Sequence, residues 1–146
     1  RYGFGVQPKS DRLLELAERI VEAAHAKSKT FGVPMGVAVV DEAGRVVLSS
    51  RADGASFYTF NTSIAKAKTA VAYKRSTKEL VDHRDINPHF YDALPSVIPG
   101  DVLPTSGGVP IIKDGRVIGG IGIGGGNPEQ DHECALAGSL VVTRLP

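Results

Sequence analysis

The chain has 146 residues, of which 42% are hydrophobic and 23% charged. This balance is typical of a folded domain and excludes a disordered, fibrous or membrane-embedded chain. The 17 Lys and Arg against 16 Asp and Glu leave a net charge of +1, which is too small to attract nucleic acid or an anionic membrane. We therefore predict one domain over residues 1–146, with no nucleic-acid and no membrane partner.

The cysteine content and the first ten residues of the chain indicate the cellular compartment of the protein. Cys134 is the only cysteine, so no disulfide can form within the chain, as expected in a reducing compartment. No run approaches the roughly 18 apolar residues of a membrane helix, and residues 1–10 lack the apolar core of a secretion signal. We predict a cytoplasmic protein. Because the chain begins with Arg1, secretion after removal of an upstream signal peptide is the alternative.

The first half of the chain predicts a helix, a hairpin and a second helix. Ser10 can cap a helix whose apolar residues recur every three or four positions and which Gly32 and Pro34 end. Residues 35–40 and 45–50 are rich in β-branched side chains and flank a turn-forming tetrad, which predicts two antiparallel strands. Residues 57–73 are rich in Ala and Lys and contain no Gly or Pro, which favours a helix.

The second half predicts a short helix, a long loop, a hairpin and a last helix. Ser76 and Glu79 have capping-box spacing, so a short helix begins at Thr77. Residues 83–108 carry four prolines and are predicted to be a loop that acts as the lid or wall of a site. Asp114-Gly115 predicts a tight turn between strands at residues 109–113 and 116–123. Asn127-Pro128 then begins a helix through residue 140.

Two hairpins and no parallel crossover predict an α+β fold, in which helices cover the faces of an antiparallel sheet. Glycine is concentrated in the second half of the chain, since ten of the 17 glycines lie at positions 100–126. Gly124, Gly125 and Gly126 precede the last helix, where unpaired N–H groups and the helix dipole favour an anion. The alternative is that these glycines only allow close packing of strand and helix.

Three ordered segments, GGVPI at 107–111, GGIGIGG at 119–125 and EQD at 129–131, resemble the GlcG/HbpS-like family of small haem- and corrinoid-associated domains. The second helix is similar too, with Ile64, Ala65 and Lys68 in the family's spacing. The resemblance implies a profilin-like fold with about five antiparallel strands, homo-oligomers from dimer to octamer, and haem binding, with a corrinoid less favoured. The family commonly has Ser at the position of Gly124.

Several side chains are candidates for a site that holds a small anionic ligand. Lys68 matches a family position and could supply a fixed positive charge or a proton. Glu129 and Asp131 lie in the first turn of the last helix, where a purely structural role is the alternative. His25, at the border of the apolar stripe of the first helix, could be an axial haem ligand. His89 in the long loop could reach over a pocket.

We predict an oligomeric protein that binds haem or a related tetrapyrrole. The alternative is a cofactor-independent isomerase, lyase or hydratase acting on a small organic acid. In it, Lys68 and the backbone of Gly124–Gly126 hold a carboxylate or enolate, and a carboxylate such as Asp131 or a loop histidine moves a proton. A purely structural subunit is a third hypothesis. The first two hypotheses both place the ligand-binding site where Lys68 converges with the turn at residues 124–130.

Overall fold

The computed structural model describes residues 13–145, and the statements below concern these residues. They form five α-helices, four strands and a final 3₁₀ helix. The elements in chain order are α1 (Leu13–Phe31), β1 (Gly36–Asp41), β2 (Val46–Arg51), α2 (Tyr58–Tyr73), α3 (Thr77–Arg84), α4 (Pro88–Val97), β3 (Gly108–Lys113), β4 (Arg116–Gly124), α5 (Pro128–Ser139) and the 3₁₀ helix (Leu140–Arg144). The cap predicted at Ser10 lies outside the described residues.

The sheet has the order β2-β1-β4-β3, and every neighbouring pair is antiparallel. This confirms the α+β class and both hairpins, while the described strands number four rather than about five. Asp114 and Gly115 have φ angles of 52° and 74°, as a two-residue hairpin turn requires. The hairpins join through β1 and β4, which places β2 and β3 at the two edges.

The two faces of the sheet carry different helices because β4 alternates large and absent side chains. Ile121 and Ile123 belong to the main core with residues of α1 and α5. Gly120 and Gly122 face α2, where a Cβ at Gly120 would lie 2.7 Å from the carbonyl oxygen of Ala67. These glycines allow the backbone of α2 to lie directly against the sheet, so close packing is their role here.

The long loop predicted over residues 83–108 is wrong, because the structure places α4 within it. Pro88 occupies the first turn of α4, where the missing N–H costs nothing. Pro99 follows the end of the helix, where a proline is also common. Pro88 and Pro99 therefore mark the two ends of α4, while Pro95 lies inside its last turn. None of the described helices is both long and apolar enough to cross a membrane.

Candidate functional site

A buried ion pair lies beneath the glycine turn that precedes α5. The Nζ atom of Lys66 is 3.0 Å from Oδ2 of Asp131, and the two residues are 6% and 4% exposed. Lys66 also donates a hydrogen bond of 2.8 Å to the carbonyl oxygen of Ile123. The other carboxylate oxygen of Asp131 accepts from the backbone N–H of Gly126 at 2.8 Å. The pair thus ties α2, the end of β4 and the start of α5 together.

Three backbone donors of this turn, the N–H groups of Gly126, Asn127 and Gln130, are occupied by side chains of the same chain. Asn127 Oδ1 accepts a hydrogen bond from the N–H of Gln130 at 2.8 Å, and Gln130 Oε1 accepts one from the N–H of Asn127 at 3.0 Å. These two reciprocal bonds form a capping box, so the helix start predicted at Asn127 is confirmed. The anion at the turn is Asp131 itself. Its burial raises the pKa of the carboxyl, against the lowering effect of Lys66 and of the Gly126 N–H.

Lys68 does not converge with this turn within one subunit, contrary to the prediction. Its Nζ lies 2.7 Å from Oδ1 of Asp101, and its Cγ is 3.8 Å from where a Cβ of Gly44 would stand. Gly44 follows β1 at the end of the sheet away from Gly124, which pairs with the first residue of β1. Residues two apart on a helix differ by about 200° in direction, so Lys66 faces the core and Lys68 does not.

The sequence around Lys66 contains a signal for a buried charged residue. Ser63, Ala67 and Ala70 form the buried stripe of α2, and Lys66 lies three residues after the first and four before the last. A lysine within such a stripe needs a charged partner, because an unpaired buried charge is costly. That partner, Asp131, comes from the far end of the chain.

The remaining candidates of this first site are apart from the buried pair. Glu129 is exposed in the first turn of α5, and His89 is exposed on α4 rather than on a loop. Gly124 faces Thr62 and Gly125 faces the backbone of Pro34 and Met35. Within residues 13–145 of one subunit, Lys68 and the turn at residues 124–130 are therefore not brought together, as the enzyme hypothesis requires.

His25 lies at the wall of a separate groove of about 860 Å³. The groove runs between the last turns of α1 and the residues that follow β2. The half-buried imidazole has Nε2 at 2.6 Å from Oγ of Ser50 on β2. Burial, with a smaller effect of Lys29, lowers the pKa of His25 below its ordinary value of 6.5. The imidazole is therefore neutral at neutral pH.

Two cationic side chains, Lys29 and Arg51, line the same groove together with two carboxylates, Glu22 and Asp53. Lys29 projects from the last turns of α1. Arg51 is the last residue of β2, and its guanidinium donates a hydrogen bond of 2.8 Å to the carbonyl oxygen of Ala55. Val33 and Pro34 add an apolar part to the wall. His25 was predicted from the sequence but neither cation was, because only the packing of α1 on β1 and β2 brings the three side chains together.

The family model described as "Haem degrading protein HbpS-like" matches residues 13–139. The chain belongs to this HbpS-like family. The resemblance seen in the sequence is thereby confirmed. A curated relative, the corrinoid adenosyltransferase PduO of Salmonella typhimurium, is 35% identical over 117 residues. That match covers 80% of this chain and 34% of PduO, so the chain corresponds to about a third of that relative.

Two solved structures resemble the fold of this HbpS-like chain. HbpS is 31% identical with a TM-score of 0.81, and the match covers 97% of each chain. A structure described as the PduOC:Heme complex is 32% identical with a TM-score of 0.80, over 88% of this chain and 92% of that one. Haem binding is thus present among the structural relatives of this family.

Proposed function

We propose that this HbpS-like chain binds haem, or a related tetrapyrrole, in the groove beside His25, and that it does so as a homo-oligomer. The observation that carries the proposal is the half-buried neutral imidazole of His25 held by the hydroxyl of Ser50. A metal-bound histidine uses a neutral ring nitrogen, and its other ring nitrogen commonly donates to a neighbouring oxygen that fixes the tautomer. Ser50 can accept that hydrogen bond from Nε2, which leaves the lone pair on Nδ1.

The size of the groove and its two cationic side chains also support a tetrapyrrole as the ligand. Its volume of about 860 Å³ lies within the range of small-molecule sites. Lys29 and Arg51 can pair with the two propionates, since charge-assisted bonds to carboxylates are the strong ones. Haem, when bound, supplies an iron centre that changes oxidation state and takes up small ligands.

The oligomeric part of the proposal rests on exposed aromatic side chains at the start of α2. Phe57, Tyr58 and Phe60 are 70%, 63% and 50% exposed, and the first two rings stack at 4.3 Å between centroids. Contiguous exposed apolar surface of this kind marks an interaction site. A second copy of the chain would cover it, consistent with an assembly between dimer and octamer.

Titration of the purified protein with haemin tests the function, with the Soret band and the stoichiometry as readouts. We expect saturable binding with the spectrum of a nitrogen-ligated haem, which His25→Ala abolishes. His89→Ala is the matched control, because His89 is exposed on α4, outside the groove. Hydroxocobalamin in place of haemin tests the corrinoid alternative.

Further variants distinguish ligation of the haem iron by His25 from pairing of the propionates with Lys29 and Arg51. Lys29→Gln with Arg51→Gln should weaken haemin binding and leave the ligation spectrum unchanged, whereas Ser50→Ala should alter that spectrum. An unshifted Soret band at saturating haemin would refute haem binding. The same spectrum and affinity in His25→Ala would refute this ligand.

A further inference from the structure

The apolar side chains of α4 form a stripe that the subunit leaves largely uncovered. Phe90, Leu94, Val97 and Ile98 recur at three- and four-residue spacing, and Ile86 lies four residues before Phe90. Leu94 is buried, whereas Ile86, Phe90, Val97 and Ile98 are 81%, 46%, 75% and 42% exposed. A surface helix normally turns such a stripe towards the core of its own subunit. These four exposed side chains are called the α4 stripe below.

The subunit holds α4 beside the second half of α2. The rings of Tyr91 on α4 and of Tyr73 at the end of α2 have centroids 6.5 Å apart. Shortly after α4, Asp101 pairs with Lys68 of α2 at 2.7 Å. Lys68 does not face the sheet, so this contact lies on the outer side of α2. The α4 stripe is therefore part of the layer that lies outside the sheet.

The aromatic cluster of Phe57, Tyr58 and Phe60 lies at the opposite end of the same helix. The 16 residues of α2 span about 24 Å, so the cluster and the α4 stripe are separated by the length of this helix. A two-fold axis near the middle of α2 would set the α2 helices of two copies antiparallel. In a two-fold contact, each copy presents the same surface to the other. The α4 stripe of each copy would then meet the aromatic cluster of the other.

The charges of α2 and α4 also favour an apolar partner. The only charged residues of α2 are Lys66 and Lys68, and both pair with carboxylates of the same chain. The only carboxylate of α4 is Asp92, which pairs with Arg84 at 2.9 Å. An anionic membrane or a nucleic acid is attracted by unpaired cations, which neither helix supplies. Two copies of such a surface can approach each other without repulsion between like charges.

The exposed area is sufficient for a stable contact. With about 200 Å² for a fully exposed large side chain, the aromatic cluster and the α4 stripe together expose roughly 850 Å² per copy. An interface of standard size buries about 800 Å² per partner. Either surface alone would supply only about half of that area.

We propose that the α4 stripe of one copy packs against the aromatic cluster of a second copy, in a two-fold contact that contains this pairing twice. The inference rests on the oligomeric part of the proposed function and names the surface that covers the aromatic cluster. It is independent of haem binding, because none of these side chains lines the His25 groove.

Sedimentation velocity tests whether α4 takes part in the assembly. Ile86→Ser with Val97→Ser should raise the dissociation constant of the pair at least tenfold, the effect of losing central apolar contacts. Both side chains are exposed in the subunit, so its circular dichroism spectrum should be retained. Leu14→Ser with Leu140→Ser is the matched control, because it removes two exposed apolar side chains from the other side of the sheet.

The outcomes separate this inference from the proposed function. An oligomer that Ile86→Ser with Val97→Ser leaves intact would overturn the role of α4, while the oligomeric function would stand. A single-chain species for the unmodified protein at micromolar concentration would refute both.

Cross-linking with a bismaleimide tests which surfaces meet. The native thiol, Cys134, is buried, so thiols introduced by Tyr58→Cys and Val97→Cys are the reactive ones. Co-expression of the two variants with tags of different size should give cross-linked pairs that contain one of each. Each variant expressed alone should give few. Cross-linked pairs of Tyr58→Cys alone, or of Val97→Cys alone, in place of the mixed pair would overturn the proposed contact.

Discussion

Lys66 and Asp131 are 65 residues apart in the chain and meet at 3.0 Å beneath the glycine turn before α5. Each is also bonded to backbone on either side of that turn, to the carbonyl of Ile123 and to the N–H of Gly126. A buried pair with this many partners fixes the relative positions of the elements it joins. The role of the turn is therefore structural, because it holds α2, β4 and α5 in fixed relative positions.

Breaking this pair should destabilise the protein strongly. Lys66→Met keeps the length of the side chain but leaves the carboxylate of Asp131 buried without its cation, which costs about 3–5 kcal/mol. Lys68→Met is the matched control two residues along the same helix. Its pair with Asp101 is partly exposed, with side-chain exposures of 28% and 56%, so its loss should cost about 1 kcal/mol or less. The free energy of unfolding in urea measures both, and equal losses would contradict the buried role of Lys66.

Adding a side chain to the glycine face of β4 should have effects that depend on what the new Cβ meets. Gly122→Ala meets backbone atoms of Ser63 and Ala67 in α2, which cannot move away, so we expect a loss of about 1–3 kcal/mol or more. Gly124→Ser, which introduces the residue common in the family, meets chiefly the hydroxyl of Thr62. Thr62→Ala should therefore restore the stability of Gly124→Ser, as thermal unfolding would show, but not that of Gly122→Ala.

Stability should fall on mild acidification, in part because of His25. Burial lowers the pKa of His25 in the folded state, so the unfolded chain binds a proton more readily. This contribution is fully present above the ordinary pKa of 6.5 and is lost as the pH falls through the folded-state value. His25→Gln should flatten the dependence of the unfolding free energy on pH below the ordinary histidine pKa of 6.5. An unchanged slope would contradict this prediction.

The exposed aromatic cluster should be required for assembly. Phe57→Ser together with Tyr58→Ser removes most of its apolar surface, and because both side chains are exposed, the fold of the subunit should be retained. Sedimentation velocity should show the unmodified protein as an oligomer and the variant as a species near the 15.4 kDa of one chain. A single-chain species for the unmodified protein at micromolar concentration would exclude the proposed oligomer.

The sequence by itself determined the parts of the fold that depend on local chemistry. The Asp114-Gly115 turn, the cap at Asn127 and the apolar periodicity of α1 are each set by residues close in the chain, and the structure has all three. The ordered glycine segments were sufficient to indicate the family. The prediction of a loop over the proline-rich segment was wrong because Pro88 stands in the first turn of α4, where a proline is tolerated, and because the helix forms in spite of Pro95 in its last turn.

Only the tertiary structure decided which side chains meet. The order β2-β1-β4-β3 brings the end of β4 against α2, and the direction in which each helix faces that sheet selects Lys66 rather than Lys68 as the partner of Asp131. Turn and cap preferences act over a few residues, whereas an ion pair across 65 positions depends on the packing of three elements. The same packing brings Ser50 to His25, because strand pairing and helix docking are non-local.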